Sequence, residues 1–210
     1  MAHQHLAGDI HPAGGAPLPA AMEVVMALSM TVGRGAVARA VADVAGVGPA
    51  DSVLDVGCGP GTAVRVAVAR GAKATGVDPS RVALALARAI SSARRSRGAT
   101  WVEAPAESLP LGDGSVTVAW SLSAVHHWSD RRQGLAELRR VLAPGGRVVL
   151  VERLSPEGAR GHARHGLSAV QAGSVAGEMA AAGFCDVRTS TRRLGRRTVT
   201  VIEAAVPTAV

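Results

Sequence analysis

Aromatic side chains are nearly missing from this chain of 210 residues: it has one phenylalanine, three tryptophans and no tyrosine. That scarcity takes away the stacking platforms on which single-stranded nucleic acid is bound. It also leaves the core to Val, Leu, Ile and Ala, which suit helices packed on a buried parallel sheet. Lysine is equally rare. Lys73 is the only one, so the net charge of +7 is carried by arginine. The arginines fall in scattered pairs, Arg94-Arg95, Arg131-Arg132, Arg139-Arg140, Arg192-Arg193 and Arg196-Arg197. Scattering of that kind reads as a solvated face rather than a binding patch, and nucleic acid is not expected as a partner. Only two cysteines occur, Cys58 and Cys185, far apart in the chain. They make no disulfide framework and fit a reducing compartment. No run reaches the ~20 apolar residues that span a bilayer, and the first twenty residues hold no basic stretch followed by an apolar one. A cytoplasmic chain without membrane insertion is expected, and its pattern specifies no oligomeric state.

What is present is a change of rhythm after Gly48-Pro49. Residues 1–20, rich in Gly, Pro and His, read as a flexible lead. Residues 21–47 read as an N-terminal helical lid, two helical stretches separated by Gly33-Arg34-Gly35. Met22, Met26 and Met30 share one helix face there, suited to packing or to a pliable pocket wall. From residue 48 to 206 strands and helices alternate. Strands are expected at 52–56, 73–77, 100–103, 115–121 and 147–152, with a closing pair at 184–189 and 198–203. Helices are expected at 62–70, 80–94, 131–142 and 171–182, the last broken locally by Gly173 and Gly177. The fold class is therefore α/β: a Rossmann-like doubly wound sheet, mostly parallel with an antiparallel closing strand, helices on both faces.

The first strand runs into "VLDVGCGPGT", with Gly57, Gly59 and Gly61 at alternate positions and Asp55 just ahead of them. Glycine lets the chain turn tightly and lets a ligand lie against the backbone. Amides at the following helix start offer hydrogen bonds. Ligands of such sheets bind at the carboxyl ends of the strands, where this corner lies. The next strand ends in "GVDPS", placing Asp78 twenty-one residues after Gly57. An acidic residue at that distance is placed to accept the hydroxyls of a ribose, or to cap the next helix. The combination points to a nucleoside-containing cofactor. The glycine spacing is one residue tighter than the dinucleotide fingerprint. Asp55 would oppose a pyrophosphate, but it suits the sulfonium and ammonium charges of S-adenosylmethionine.

Taken together, these motifs resemble the class I S-adenosylmethionine-dependent methyltransferases, in the small-molecule branch related to quinone biosynthesis. "AESLPLGDGSVTVAWSLSAVHHWSD", "ELRRVLAPGGRVVLVE" and "MAAAGF" follow in that family's order, and the likeness covers roughly residues 35 to 205. The resemblance implies that Asp55, Gly57, Cys58, Gly59 and Gly61 hold the methionine end of S-adenosyl-L-methionine. It implies that Asp78 and Pro79 meet the ribose, that Ala106 and Glu107 lie along the adenine, and that Ser121 lies near the transferred methyl. The product would be S-adenosyl-L-homocysteine. The chain departs from the family pattern at Pro105 and Thr117, where relatives often carry aspartate.

Methyl transfer from a sulfonium is an in-line displacement in which positioning supplies much of the acceleration. A base is needed only for a protonated acceptor. His126 and His127, just past the fourth strand, suit a base or an acceptor-orienting role, and equally a structural lid beside Trp128. His162 and His165 are weaker candidates for the acceptor pocket. Cys58 reads as a small buried residue of the loop rather than a nucleophile. No metal site is expected, His3, His5 and His11 reading as part of a polar tail. The expected function is methyl transfer to a small-molecule acceptor. The alternatives are a nucleic-acid-modifying methyltransferase and a cofactor-binding protein without catalysis.

Overall fold

The computed structural model describes residues 34–94, 96–159, 165–194 and 197–208. The expected lead, the face of Met22, Met26 and Met30, and His162 lie outside the described residues. The description begins in helix α1 (Arg34–Val44), which holds Arg34 and Gly35; the stretch expected before them lies outside the described residues.

The alternating segments form β1 (Ser52–Val56), α2 (Thr62–Ala69), β2 (Lys73–Asp78), α3 (Arg81–Ala93), β3 (Ala99–Glu103) and β4 (Val116–Leu122). A short 3-10 turn (Val125–His127) leads to α4 (Arg131–Val141), β5 (Leu142–Arg153), α5 (Ala169–Ala181), β6 (Cys185–Leu194) and β7 (Arg197–Ala205). The seven strands lie in the order β3-β2-β1-β4-β5-β7-β6. Only β7 runs against its neighbours, so the expected fold class holds. The order reverses between β1 and β4, which puts the switch point beside the glycine corner.

Side chains alternate across the strands and divide the core in two. Leu54, Ala119 and Leu150 face a layer with Leu135 and Leu138 of α4 and Val175 and Met179 of α5. Val53, Val118 and Val149 face the other layer, with Val37 and Val41 of α1, Val64 of α2 and Leu84 of α3. α1 is thus packed into the main core.

Two local expectations differ from what is found. Helix α5 is continuous through Gly173 and Gly177. Both glycines are exposed and cost about 1 kcal/mol each in a helix. Burial of Ala172, Val175 and Met179 outweighs that, aided by a capping box in which Ser168 and Gln171 satisfy each other's backbone amides. The fifth strand begins at Leu142 rather than Arg147 because Leu142 already pairs with Val116 before the register shifts. Gly145, at φ 74, bends the chain there. Asp130 caps α4, its carboxylate accepting the Gln133 amide at 3.1 Å.

Candidate active site

β1 delivers Asp55 to the carboxyl edge of the sheet, in register with Gly76 on one side and Trp120 on the other. The chain then turns through Gly57, Gly59 and Gly61, all at positive φ. At Gly57 (φ 74) a Cβ would lie 2.3 Å from the Ala124 Cβ, and at Gly61 (φ 77) 2.1 Å from the Trp101 ring. The corner is therefore bare because two walls press on it, the turn after β4 and the indole of β3. Gly57 and Cys58 donate their amides to the Val77 carbonyl at 2.8 and 3.0 Å.

Asp78 fastens the loop from the next strand. Its Oδ2 accepts the Gly59 amide at 2.7 Å and its Oδ1 accepts the Ser80 amide at 2.9 Å. The side-chain cap of α3 comes from Ser80, whose hydroxyl accepts from the Ala83 amide at 3.2 Å. Asp78 is thus a loop brace, with a second lone pair left on each oxygen.

Asp55 is only 2% exposed, and its Oδ1 has no hydrogen-bond partner. Burial, then the charge of Asp78, push its carboxyl up to about 7, with Arg34 opposing. Asp55, Gly57 and Cys58 line one cleft together with Arg34, Ala38, Thr62, Ala63 and Leu122. Arg34 also lines a neighbouring cleft with Leu122, Ser123, Arg153 and Arg197. Burial and then Arg197 lower its guanidinium from the ordinary value. A cleft with a buried carboxylate on one wall, one of its oxygens unpartnered, and a guanidinium on another fits a ligand carrying both an ammonium and a carboxylate. α2 enters this cleft without a side-chain cap, its N-cap being Gly61. Cys58 is buried and its thiol is held well above the usual range, burial being the main cause; it is a packing residue here.

The remaining predicted residues separate from that cleft. Pro79 is exposed beside Asp78. Ala106 is buried in the core layer of α4 and α5. The Glu107 carboxylate accepts the Asp130 amide at 3.0 Å and so ties its loop to the start of α4. Ser121 is fully buried within β4, its hydroxyl unpartnered. Pro105 is exposed. Thr117 bridges two strands, for its hydroxyl donates to Asp51 Oδ1 at 2.7 Å and accepts the Ser52 amide at 3.1 Å. Arg147 completes that cluster on Asp51 at 2.9 Å.

His126 and His127 stand on the 3-10 turn after β4, their ring centroids 3.9 Å apart. The buried Glu152 of β5 lies under them. Its Oε2 is 2.8 Å from His126 Nδ1, so Nδ1–H donates to the carboxylate and the lone pair falls on Nε2. His165 comes back over the same edge, 6.0 Å from each of the other two rings. Partial desolvation, then His126 and His165, push His127 down to about 4. Sequence reasoning missed Glu152 and Arg34 as site residues. It also missed Ser123, which holds φ 57 after β4 with its amide on the Val151 carbonyl at 2.7 Å. A non-glycine residue in that region is a recurrent mark of a functional turn.

Fold and cleft together define a Rossmann-like protein with a nucleoside-cofactor edge. Comparison with known proteins narrows the class: residues 54–150 match the family model described as a methyltransferase domain. The chain is 41% identical over 98 residues to malonyl-[acyl-carrier protein] O-methyltransferase of Pseudescherichia vulneris, covering 47% of this chain and 37% of that protein. It is 39% identical over 114 residues to 27-O-demethylrifamycin SV methyltransferase of Amycolatopsis mediterranei, covering 51% and 42%. The matches thus span less than half the length of these relatives. Among solved structures, a SAM-dependent methyltransferase from Aquifex aeolicus superposes with a TM-score of 0.74 at 18% identity, over 87% of this chain and 98% of that one. No helix among the described residues is long and apolar enough to cross a membrane.

Proposed function

We propose that the chain binds S-adenosylmethionine and transfers its methyl group to a small-molecule acceptor, with an oxygen as the favoured receiving atom. The observation that carries this reading is Asp55, a buried carboxylate with an unpartnered oxygen inside the segment that matches the methyltransferase model. An ammonium would satisfy that oxygen and offset its burial. Arg34 would meet the carboxylate of the same amino-acid head, and the free lone pairs of Asp78 would accept ribose hydroxyls. When bound, the cofactor supplies an electrophilic methyl on a sulfonium that leaves as a neutral thioether. The acceptor side is the turn after β4, where His126 orients the acceptor or receives its proton, steadied by Glu152. The O-methyltransferase relative from Pseudescherichia vulneris supports oxygen as the receiving atom. The free cysteines Cys58 and Cys185 support a cytoplasmic setting.

Calorimetry with S-adenosylhomocysteine tests the reading. Saturable one-to-one binding is expected, weakened 100-fold or more in Asp55→Asn. A folded chain that binds NAD or NADP instead, or binds neither, would refute it.

A further inference from the structure

The three imidazoles at the acceptor edge have a chemistry of their own. We propose that His126, His127 and His165 form a site for a divalent transition metal, zinc being the natural fit. One ligand nitrogen from each of the three can be chosen so that all lie within 4.8 Å of one another. Tetrahedral zinc, with Zn–N of about 2.0–2.1 Å, holds its nitrogens about 3.4 Å apart. Modest side-chain rotations close that gap. Three histidines leave a fourth position for the oxygen of water or acceptor, the arrangement that catalytic zinc keeps open.

The surroundings are built for metal ligation. His126 is nearly buried, with a side-chain exposure of 13%. Its Nδ1–H donates to Glu152, and its buried Nε2 has no hydrogen-bond partner. A carboxylate on the far nitrogen fixes the tautomer, aims the lone pair and raises ligand basicity, as outer carboxylates do in histidine–metal sites. Glu152 is itself 1% exposed, with Oε1 unpartnered. A buried carboxylate is costly without compensation, and a dication beyond the imidazole supplies it.

The backbone holds the ligands from two directions. His126 and His127 are set by the 3-10 turn, closed by the His127 amide on the Ala124 carbonyl at 2.9 Å. His165 is anchored through Leu167, whose amide donates to the Arg153 carbonyl at 3.0 Å and whose carbonyl accepts the Ser155 amide at 2.9 Å. Imidazole donors select zinc, copper, nickel or iron over magnesium and calcium. Metal binding itself does not depend on methyl transfer. Its use in orienting an acceptor oxygen rests on the function proposed above, with the metal then taking the acceptor-side duty of His126.

The test uses the full chain, stripped with a chelator and titrated with cobalt(II), whose visible absorption reports nitrogen coordination; zinc(II) is the competitor. One equivalent is expected at this site and is lost in His126→Ala and in His165→Ala. Glu152→Gln is expected to weaken binding 10–100-fold. A variant with His3, His5, His11 and His162 all replaced by Ala is expected to keep the signal. The proposal is overturned by unchanged binding in both single variants, by loss of the signal in the four-histidine variant, or by no coordination spectrum from chain shown to be folded by circular dichroism. Binding of S-adenosylhomocysteine, measured on the same samples without metal, separates failure of this site from failure of the methyltransferase reading.

Discussion

At the scale of single residues, Asp55 carries an electrostatic conflict. Its carboxyl moves from an ordinary 3.8 to about 7, chiefly through burial. An acid raised in this way holds its proton in the fold after the unfolded chain has lost it. The folded state then binds more protons between about pH 4 and 7, so its stability falls as pH rises through that window. Asp55→Asn removes the conflict. Its melting temperature is expected to match the parent near pH 3 and to exceed it at pH 8, the gain being about 2–4 kcal/mol. Thermal melts across pH on the ligand-free chain check this, and a variant less stable at pH 8 would show that Asp55 is satisfied there. Loss of cofactor binding with gain of stability is the pattern expected of a group kept for function.

At the scale of elements, the corner between β1 and α2 is rigid because neighbours leave it no room. Gly57→Ala places a methyl against Ala124 at 2.3 Å on a backbone at φ 74, so two penalties combine. A loss of about 2–4 kcal/mol is expected in urea unfolding, with cofactor affinity falling as well. A neutral result would mean that the turn after β4 yields easily. Helix α5 gives a milder case. Removing its capping box with Ser168→Ala is expected to cost about 1 kcal/mol, read by the same unfolding curve, while binding at the distant glycine corner stays unchanged.

At the scale of the whole molecule, part of the positive charge is committed within the fold. Arg131 grips Glu178 with two bonds of 2.6 Å, linking α4 to α5. Arg140 holds Glu137 and Asp113 at 2.7 Å each, and Arg192 pairs with Glu203 at 2.6 Å. Members of the arginine pairs thus act as braces, which agrees with scattered charge rather than a phosphate-binding face. A labelled single-stranded oligonucleotide is expected to show no saturable anisotropy change near 0.15 M salt. Tight binding that weakens steeply with salt would instead assign the remaining arginines to a nucleic acid.

The sequence by itself determined the alternation of strand and helix, the reversed closing strand's place in it, and the glycine corner with Asp55 and Asp78. These are short-range matters: side-chain period, turn chemistry and spacing along one strand-turn-helix unit. It also showed Thr117 and Pro105 as departures without showing that Thr117 bridges Asp51 and Ser52. It misjudged α5, because the cost of two exposed glycines is local while the burial that outweighs it is not. Only the tertiary structure decided that Arg34 enters the cleft of Asp55, that Trp101 presses on Gly61, and that Glu152 stands beneath His126. The physical reason is the pairing of β4 with β5, which are parallel neighbours. Their carboxyl ends arrive at one edge, so residues far apart in the chain share one small space.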